Sequence, residues 1–308
     1  MNGPKVTVIG SMNMDLVVKT AAIPKLGETV FGQSFSTLPG GKGANQAVAC
    51  ARLGADVKMV GCVGNDAFGT ELIATLRNEG VNTSYVEPVP HCSTGIASIN
   101  VQEGDNSIIV VPGANFAVTR EVVAKAEEAI KQADIVLLQL EIPLDAVTEA
   151  VNIANKYKIP VIVNPAPAQI LPKELVDKIT YLTPNEYELA ILITGQPVVE
   201  SSFNEMMSKL PGKVVMTKGS NGAYFVDHNL ELYHQQAFKV EAVDTTGAGD
   251  TFNAVFAVQI AKGNSVKEAM TYAAMASAIS VTKFGAQGGM PTAKDVDEWK
   301  TKLVEAGR

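Results

Sequence analysis

The amino-acid sequence predicts an α/β fold built on a mostly parallel central sheet. Short Val/Ile/Leu-rich runs alternate with longer helix-compatible runs for most of its length. The apolar runs rarely alternate with polar residues, as expected of parallel strands covered on both faces. Five glycine-rich or polar clusters fall where strand-like runs end, which is where such sheets place ligands. Strands are expected over Lys5–Gly10, Val57–Val63, Ile135–Leu140, Pro160–Asn164, Tyr181–Thr183 and Lys213–Thr217. Helices are expected over Gly43–Leu53, Phe68–Glu79, Arg120–Gln132, Leu144–Tyr157, Asp250–Ala261, Val266–Lys283 and Ala293–Glu305. The βαβα rhythm predicts a doubly wound sheet.

Two segments break the rhythm. Asp15–Ser36 and Ser93–Val111 alternate apolar and polar residues, and Glu103-Gly104-Asp105-Asn106 reads as a hairpin turn. A small accessory β-sheet is expected, covering a cleft as a lid or serving as a dimerisation edge. With no linker or internal repeat, residues 1–308 are expected to form one domain, with lid segments near 15–36 and 93–111 inserted in it.

Composition bounds the function. With 46% hydrophobic and 19% charged residues in 308, a sizeable core is expected and global disorder is not. A net charge of -7 argues against nucleic acid as a partner. An anionic substrate stays open, because backbone amides and a few Lys build local cradles. Cys50, Cys62 and Cys92 make a poor disulfide framework and lack zinc-ligand spacing, and the first two read as buried apolar residues. No apolar run reaches the roughly 18 residues of a membrane helix. Met1-Asn2-Gly3-Pro4 passes into a strand-like run with no signal peptide, so a cytoplasmic setting is expected.

The strongest motif is Asp244-Thr245-Thr246-Gly247-Ala248-Gly249-Asp250 before an apolar helical run. A glycine loop feeding a helix N-terminus aims backbone N–H groups and the helix dipole at an anion. Asp250 would repel that anion unless its role is to take a proton from an attacking hydroxyl, as phosphoryl transfer requires. As a purely local feature, Asp250 would be a helix cap.

The other clusters have bland counterparts too. Asn13 and Asp15, in Gly10-Ser11-Met12-Asn13-Met14-Asp15, suit vicinal sugar hydroxyls or an Asx turn. Gly40-Gly41-Lys42-Gly43-Ala44-Asn45-Gln46 opens a helix as a ligand loop or a tight turn; it fits neither a P-loop nor a dinucleotide fingerprint. Glu141 ends an apolar strand as a hydroxyl ligand or a solvated residue before Pro143. Asn185 and Glu188 share one face of a helical turn, suiting magnesium or a capping box. Thr217-Lys218-Gly219-Ser220-Asn221-Gly222 suits nucleotide phosphates or a hairpin turn. His91, His228 and His234 lie in turn-like or polar stretches and read as surface residues.

The Gly40–Asn45 and Asp244–Asp250 motifs, about two hundred residues apart, resemble the two signatures of the PfkB-type carbohydrate kinases. Asn13-x-Asp15, Asn185-Glu-x-Glu188 and Lys283-Phe284-Gly285-Ala286-Gln287 resemble its ribokinase branch. The resemblance covers nearly the whole chain. It implies a ribokinase-like three-layer α/β/α sandwich with a β-sheet lid. It implies transfer of phosphate from ATP to the 5-hydroxyl of ribose, with Asp250 as base and Gly247, Ala248 and Gly249 as anion hole. Asn13, Asp15, Gly41, Lys42, Gly43, Asn45, Glu141 and Asp250 would hold the sugar. Asn185, Thr217, Lys218, Gly219, Ser220, Asn221, Gly222 and Gly249 would meet the nucleotide, and Glu188 would organise Mg2+ through water. Asp244, Thr246, Ser280, Lys283, Gly285 and Gly289 would form a site for a monovalent cation, usually K+. A homodimer through the lid sheets is implied as well. Three positions depart from relatives: Gly247 stands where Ala is frequent, Ala274 where Asn or His lies near adenine, and Gly289 where some carry Ser. The rival readings are a kinase for deoxyribose or another family substrate, and a sugar-binding regulator without catalysis.

Overall fold

The computed structural model describes residues 3–102, 105–197 and 203–305. Six parallel strands form the central sheet, in the order Tyr181–Leu182, Val161–Asn164, Ile135–Gln139, Lys5–Ile9, Asp56–Gly64 and Asn82–Val89. Single parallel bridges from Leu182 to Val214 and from Asn185 to Thr217 extend it to Val215–Thr217. That strand then begins an antiparallel trio with Ala223–Val226 and Leu232–Gln235.

Alternation along each strand builds two cores, one per face. Val6, Val8, Ile135 and Leu137 face one way, against the helices Lys42–Arg52, Ala248–Ala261 and Val266–Ser280. Ile9, Val60, Val136 and Leu138 face the other, against Arg120–Lys125, Leu144–Lys156, Lys173–Lys178 and Glu186–Thr194. The result is the expected three layers. Phe256 is fully buried, edge-on to Tyr181 at 5.4 Å between ring centroids. A side chain so placed contributes about 1.5–3 kcal/mol. Cys50 and Cys62 are both buried, as expected.

A second sheet of four strands runs Gly32–Gly40, Asn13–Thr20, Gly95–Gln102, Asp105–Val111. Its outer pairs are antiparallel and its central pair parallel. Glu103 and Gly104 of the expected turn lie outside the described residues, but the strands flanking them pair antiparallel. Asp66 ties this sheet to the core. It caps the helix Ala67–Asn78 through Gly69 N–H at 2.8 Å and accepts from Thr94 N–H at 2.8 Å, one residue before the third strand.

Among the elements that differ from expectation, three are instructive. The helix expected over Arg120–Gln132 is two pieces, Arg120–Lys125 and Glu127–Lys131. At the junction Ala126 N–H bonds Val123 O, tightening the turn to an i→i−3 bond. Asn82–Val89 is a strand although its sequence is polar and contains Pro88, because it occupies the sheet's edge. Asn185 and Glu188 open a full helix, Glu186–Thr194, whose strongly apolar sequence hides its period.

The sheet sets where a site can lie. Lys5–Ile9 pairs with Asp56–Gly64 on one side and with Ile135–Gln139 on the other, so the strand order reverses around it. Loops leave the carboxyl ends there in opposite directions and open a crevice. Gly10-Ser11 and Gln139-Leu140-Glu141 lie at that point. The helix Lys42–Arg52 points its N-terminus into the crevice and approaches so closely that only glycine fits. A Cβ on Gly43 would sit 2.6 Å from Ser11 N and 2.7 Å from Gly10 C. Both are backbone atoms with little room to yield. Gly43→Ala is therefore expected to destabilise the fold by about 1–3 kcal/mol, read as a lower midpoint in thermal unfolding; an unchanged midpoint would contradict this packing.

Candidate active site

The helix Ala248–Ala261 starts at Gly247, whose φ of 79° is left-handed, and no side chain caps it. Thr251 N–H makes the first intrahelical bond, to Gly247 O at 2.8 Å. The N–H groups of Gly249 and Asp250 precede it and have no acceptor within the helix. They are donors available to an anion, with the helix dipole behind them. Gly247 rests directly on the segment that follows: a Cβ there would lie 2.9 Å from Ala286 Cα.

Asp250 is buried in the first turn of this helix. Its Oδ2 accepts from Asn45 Nδ2 and its Oδ1 from Gln46 Nε2, both at 3.0 Å. The donors are themselves held. Gln287 Nε2 donates to Asn45 Oδ1 at 3.1 Å, and Gln139 Nε2 donates to Gln46 Oε1 at 2.6 Å. Asn253, one turn on, donates to Gly249 O at 2.8 Å and accepts from Thr183 Oγ1.

Asp15, Glu141 and Lys42 surround this carboxylate. Burial, then the charges of Glu141 and Asp250, push the Asp15 carboxyl up to about 7. Burial alone would lower the Lys42 ammonium, but Asp250, Glu141 and Glu188 together hold it above its ordinary value. Glu141 Oε2 accepts from Ser11 Oγ at 2.5 Å and from Lys42 N–H at 3.1 Å, so Oε1 is the oxygen left for a ligand. Asn13 Oδ1 accepts from Asn115 Nδ2 at 2.7 Å, so Asn13 offers a ligand its NH2. Gly41, at φ 88°, lets this strand end and the helix start meet; a Cβ there would lie 2.6 Å from Asn13 N.

Two cavities adjoin the helix start. One, of about 150 Å³, is lined by Lys42, Asn185, Glu188, Gly247, Gly249 and Asp250 among others. The larger, of about 630 Å³, is mostly apolar and includes Phe252, Ala274, Val281, Gly219, Ser220 and Gly222. Thr217 and Gly249 line both. The Thr217–Gly222 loop is at once a hairpin turn and a cavity wall. Lys218 and Asn221 do not line it. The Lys218 ammonium lies 5.0 Å from the Phe203 ring centroid and 3.8 Å from Glu186, and Asn221 O accepts from His234 Nε2 at 2.7 Å. All three histidines are exposed, as expected.

Asn185 and Glu188 form a capping box: Glu188 N–H donates to Asn185 Oδ1 and Asn185 N–H to Glu188 Oε2, each at 2.8 Å. Asn185 Nδ2 and Glu188 Oε1 remain free of the box. Burial, the largest influence, raises the Glu188 carboxyl above its ordinary value. Among the described residues no three His, Cys, Asp or Glu side chains cluster to hold a metal unaided. A magnesium ion here would rest on one carboxylate and the oxygens of a phosphorylated ligand, which is its usual habit.

Asp244 organises the loop before the helix. Its Oδ1 accepts from Thr246 N–H at 2.9 Å and its Oδ2 from Gly285 N–H at 2.8 Å. These bonds outweigh partial burial and hold its carboxyl below the usual range. Ser280 and Gly289 meet backbone to backbone, and Gly289 N–H donates to Gly285 O at 2.9 Å. The Lys283 side chain is exposed. Arg52 ties the same segment down, donating to Gln287 O at 2.5 Å and Met290 O at 3.0 Å while paired with Glu79 at 2.7 Å.

Sequence reasoning assigned no role to Ser11, Gln46, Asn115, Gln139, Asn164, Asn253 and Gln287. All seven are buried polar residues. Their signal was a polar side chain at the end of an apolar strand or inside an apolar helix, as in Ile135–Gln139 and Val161–Asn164.

The raised Asp15 carboxyl has a consequence for stability. The folded protein holds that proton up to about pH 7, whereas the unfolded chain releases it near its ordinary 3.8. Stability therefore falls as pH rises between these values. Asp15→Asn is expected to stabilise the protein at pH 8 by on the order of 2 kcal/mol, after allowance for partial exposure. The gain should shrink as pH falls to 5. Thermal unfolding of both proteins across that range tests it; a gain that does not change with pH contradicts it.

Four likenesses to known proteins bear on this geometry. The family model for pfkB family carbohydrate kinases matches residues 4–293. Ribokinase of Bacillus subtilis is 50% identical over 293 residues, covering 95% of this chain and 98% of that protein. Deoxyribokinase of Salmonella typhimurium is 39% identical over 301 residues, covering 96% and 98%. The solved structure of Arabidopsis thaliana ribokinase complexed with ribose and ATP has a TM-score of 0.88 at 37% identity, covering 96% of this chain and 98% of that one. The strand order, the uncapped helix over a buried aspartate and these likenesses agree: the chain belongs to the PfkB family of carbohydrate kinases.

Proposed function

We propose that this protein transfers a phosphoryl group from ATP to the 5-hydroxyl of D-ribose, giving D-ribose 5-phosphate and ADP. The observation that carries this is Asp250: a buried carboxylate with both oxygens held by amides, in the first turn of a helix in which the N–H groups of Gly249 and Asp250 have no acceptor within the helix. The arrangement suits a base beside an anion hole. The sugar hydroxyl gives its proton to Asp250 as its oxygen bonds to phosphorus, and the phosphorus–oxygen bond to ADP breaks. The N–H groups of Gly247 and Gly249 would meet the charge on the transferring group, joined by that of Ala248 on giving up its 3.3 Å bond to Thr245 O. Asn13 through its NH2, Asp15, Glu141 through Oε1, and Asn45 would orient the sugar, with Gly41, Lys42 and Gly43 as the floor beneath it. The apolar cavity at Phe252 and Ala274 would take the base of the nucleotide, and Thr217, Gly219, Ser220 and Gly222 its ribose and phosphates. Lys42 would also neutralise phosphate charge.

Mg2+ would neutralise and align the phosphate oxygens, held through Glu188 Oε1 and water, with Asn185 beside it. A monovalent cation such as K+ would bind oxygens of Asp244, Thr246, Ser280, Lys283, Gly285 and Gly289 and stiffen the loop carrying Gly247. The tight mesh of these backbone segments supports that reading.

A sugar panel with ATP tests the assignment. Ribose is expected to be the preferred acceptor, over 2-deoxyribose; turnover of adenosine or a fructose phosphate without ribose activity overturns it. Asp250→Asn should keep ribose binding and lose about 10²–10⁴-fold in turnover. Near-normal turnover in that variant would remove the base assignment.

The lid sheet supports a homodimer. Its edge strand Asp105–Val111 exposes Ile108, Ile109, Val110 and Val111, apolar on both faces. Such an edge invites pairing. Sedimentation should give a dimer for the native chain and a monomer for Ile109→Asp; a native monomer at all concentrations contradicts the proposal. Among the described residues no helix is long and apolar enough to cross a membrane.

A further inference from the structure

Among the described residues, Gln139 Oε1 is the buried side-chain oxygen or nitrogen without a hydrogen-bond partner. Gln139 ends the strand Ile135–Gln139 and is fully buried. Its Nε2 donates to Gln46 Oε1 at 2.6 Å, and Gln46 Nε2 donates to Asp250 Oδ1 at 3.0 Å. Gln46 Nε2 also reaches Asn164 Oδ1 at 3.3 Å, and Asn164 is fixed by its own bond from Nδ2 to Thr183 O at 3.1 Å. The polarity of this chain of amides follows from its end. A carboxylate accepts and cannot donate, so Gln46 must present its NH2 to Asp250. Gln46 Oε1 then faces Gln139, which must present its own NH2. The Gln139 oxygen is left facing Gly10, the one residue type that fits there, since a Cβ would collide with it.

An unpaired buried oxygen is rare and calls for a reason. We infer that Gln46 and Gln139 are positioning residues for phosphoryl transfer: Gln139 fixes the orientation of the Gln46 amide, and Gln46 fixes the plane of the Asp250 carboxylate. Neither touches a substrate. Asn45, held by Gln287, secures the other oxygen. Rotation of the carboxylate, which would turn its proton-accepting lone pair away from the sugar hydroxyl, is thereby blocked on both sides.

The inference rests on Asp250 being the base, and the test separates the two. Gln139→Met and Gln46→Met keep the volume and remove the N–H groups. Each is expected to lower kcat about 10- to 100-fold while ribose KM moves less than threefold, since Asn13, Asp15 and Glu141 are untouched. The double variant should lose no more than Gln46→Met alone, because Gln139 acts through Gln46. In an Asp250→Asn background neither change should lower the residual rate further. A kcat for Gln139→Met within twofold of native, or losses that multiply in the double variant, overturns the inference. Should either variant fail to fold, the native protein crystallised with ribose decides: Gln46 Nε2 within hydrogen-bond distance of Asp250 supports the inference, and a carboxylate turned away from it refutes it. If the sugar panel selects another acceptor, the same kinetics run on that acceptor, so the substrate can fail while the positioning role stands.

Discussion

The structure depends on keeping a carboxylate buried where several parallel strands end. Asp250 makes its two hydrogen bonds to the neutral amides of Asn45 and Gln46. Burying a charge without hydrogen-bond partners is prohibitive, so the surrounding architecture answers that demand. The first turn of Lys42–Arg52 delivers Asn45 and Gln46 together, one to each oxygen. That helix can come close enough only because Gly41 and Gly43 lack side chains where the backbone of Gly10 to Asn13 passes. The switch in strand order supplies Gln139 from the neighbouring strand. The segment carrying Gln287, which steadies Asn45, is tied to the far end of the same helix by Arg52. One buried aspartate thus ties the carboxyl ends of the sheet to the helices packed on one of its faces.

Much of this was legible in the sequence, for definite reasons. Fully covered parallel strands must be apolar on both faces, so Lys5–Ile9, Ile135–Gln139 and Val161–Asn164 announce themselves. A glycine loop before an apolar helix with a carboxylate in its first turn is a local pattern, and Gly247 to Asp250 stand where it placed them. The amide chain was not legible. Gln139 and Gln46 are 93 residues apart, and Gln46 and Asp250 are 204 apart. No local periodicity links them. The edge strand Asn82–Val89 was hidden because an edge tolerates polar residues and Pro88. Asn185 and Glu188 were legible in two ways, as a capping box and as ligands. The box forms with one oxygen of Glu188 and leaves the other out of it, and Glu188 lines the smaller cavity.

The two cavities give the crevice a division by polarity. The larger is walled by Phe252, Ala274, Val281 and the small residues of the Thr217–Gly222 turn. The smaller holds Lys42, Asn185, Glu188 and Asp250. Their common residues, Thr217 and Gly249, lie at the boundary where an apolar group and an anionic group of one ligand would join. The N-terminus of Ala248–Ala261 is at that boundary because its helix is buried from Asp250 to Gln259 and cannot tilt away.

Glu141 and Glu188 are each half-committed. In both, Oε2 is occupied by the protein's own N–H or O–H groups. Folding therefore removes rotamer freedom that a ligand would otherwise have to freeze on arrival. At Glu141, whose Oε2 accepts twice, it also leaves the carboxylate able to engage through one oxygen only. A guanidinium, which gains its strength by gripping both oxygens in parallel, finds no fork to match. A hydroxyl or a metal-bound water needs a single lone pair and loses nothing. The internal bonds of Glu141 thus act as a filter on the geometry of the visitor, discriminating monodentate from bidentate partners before any contact with the reacting atoms.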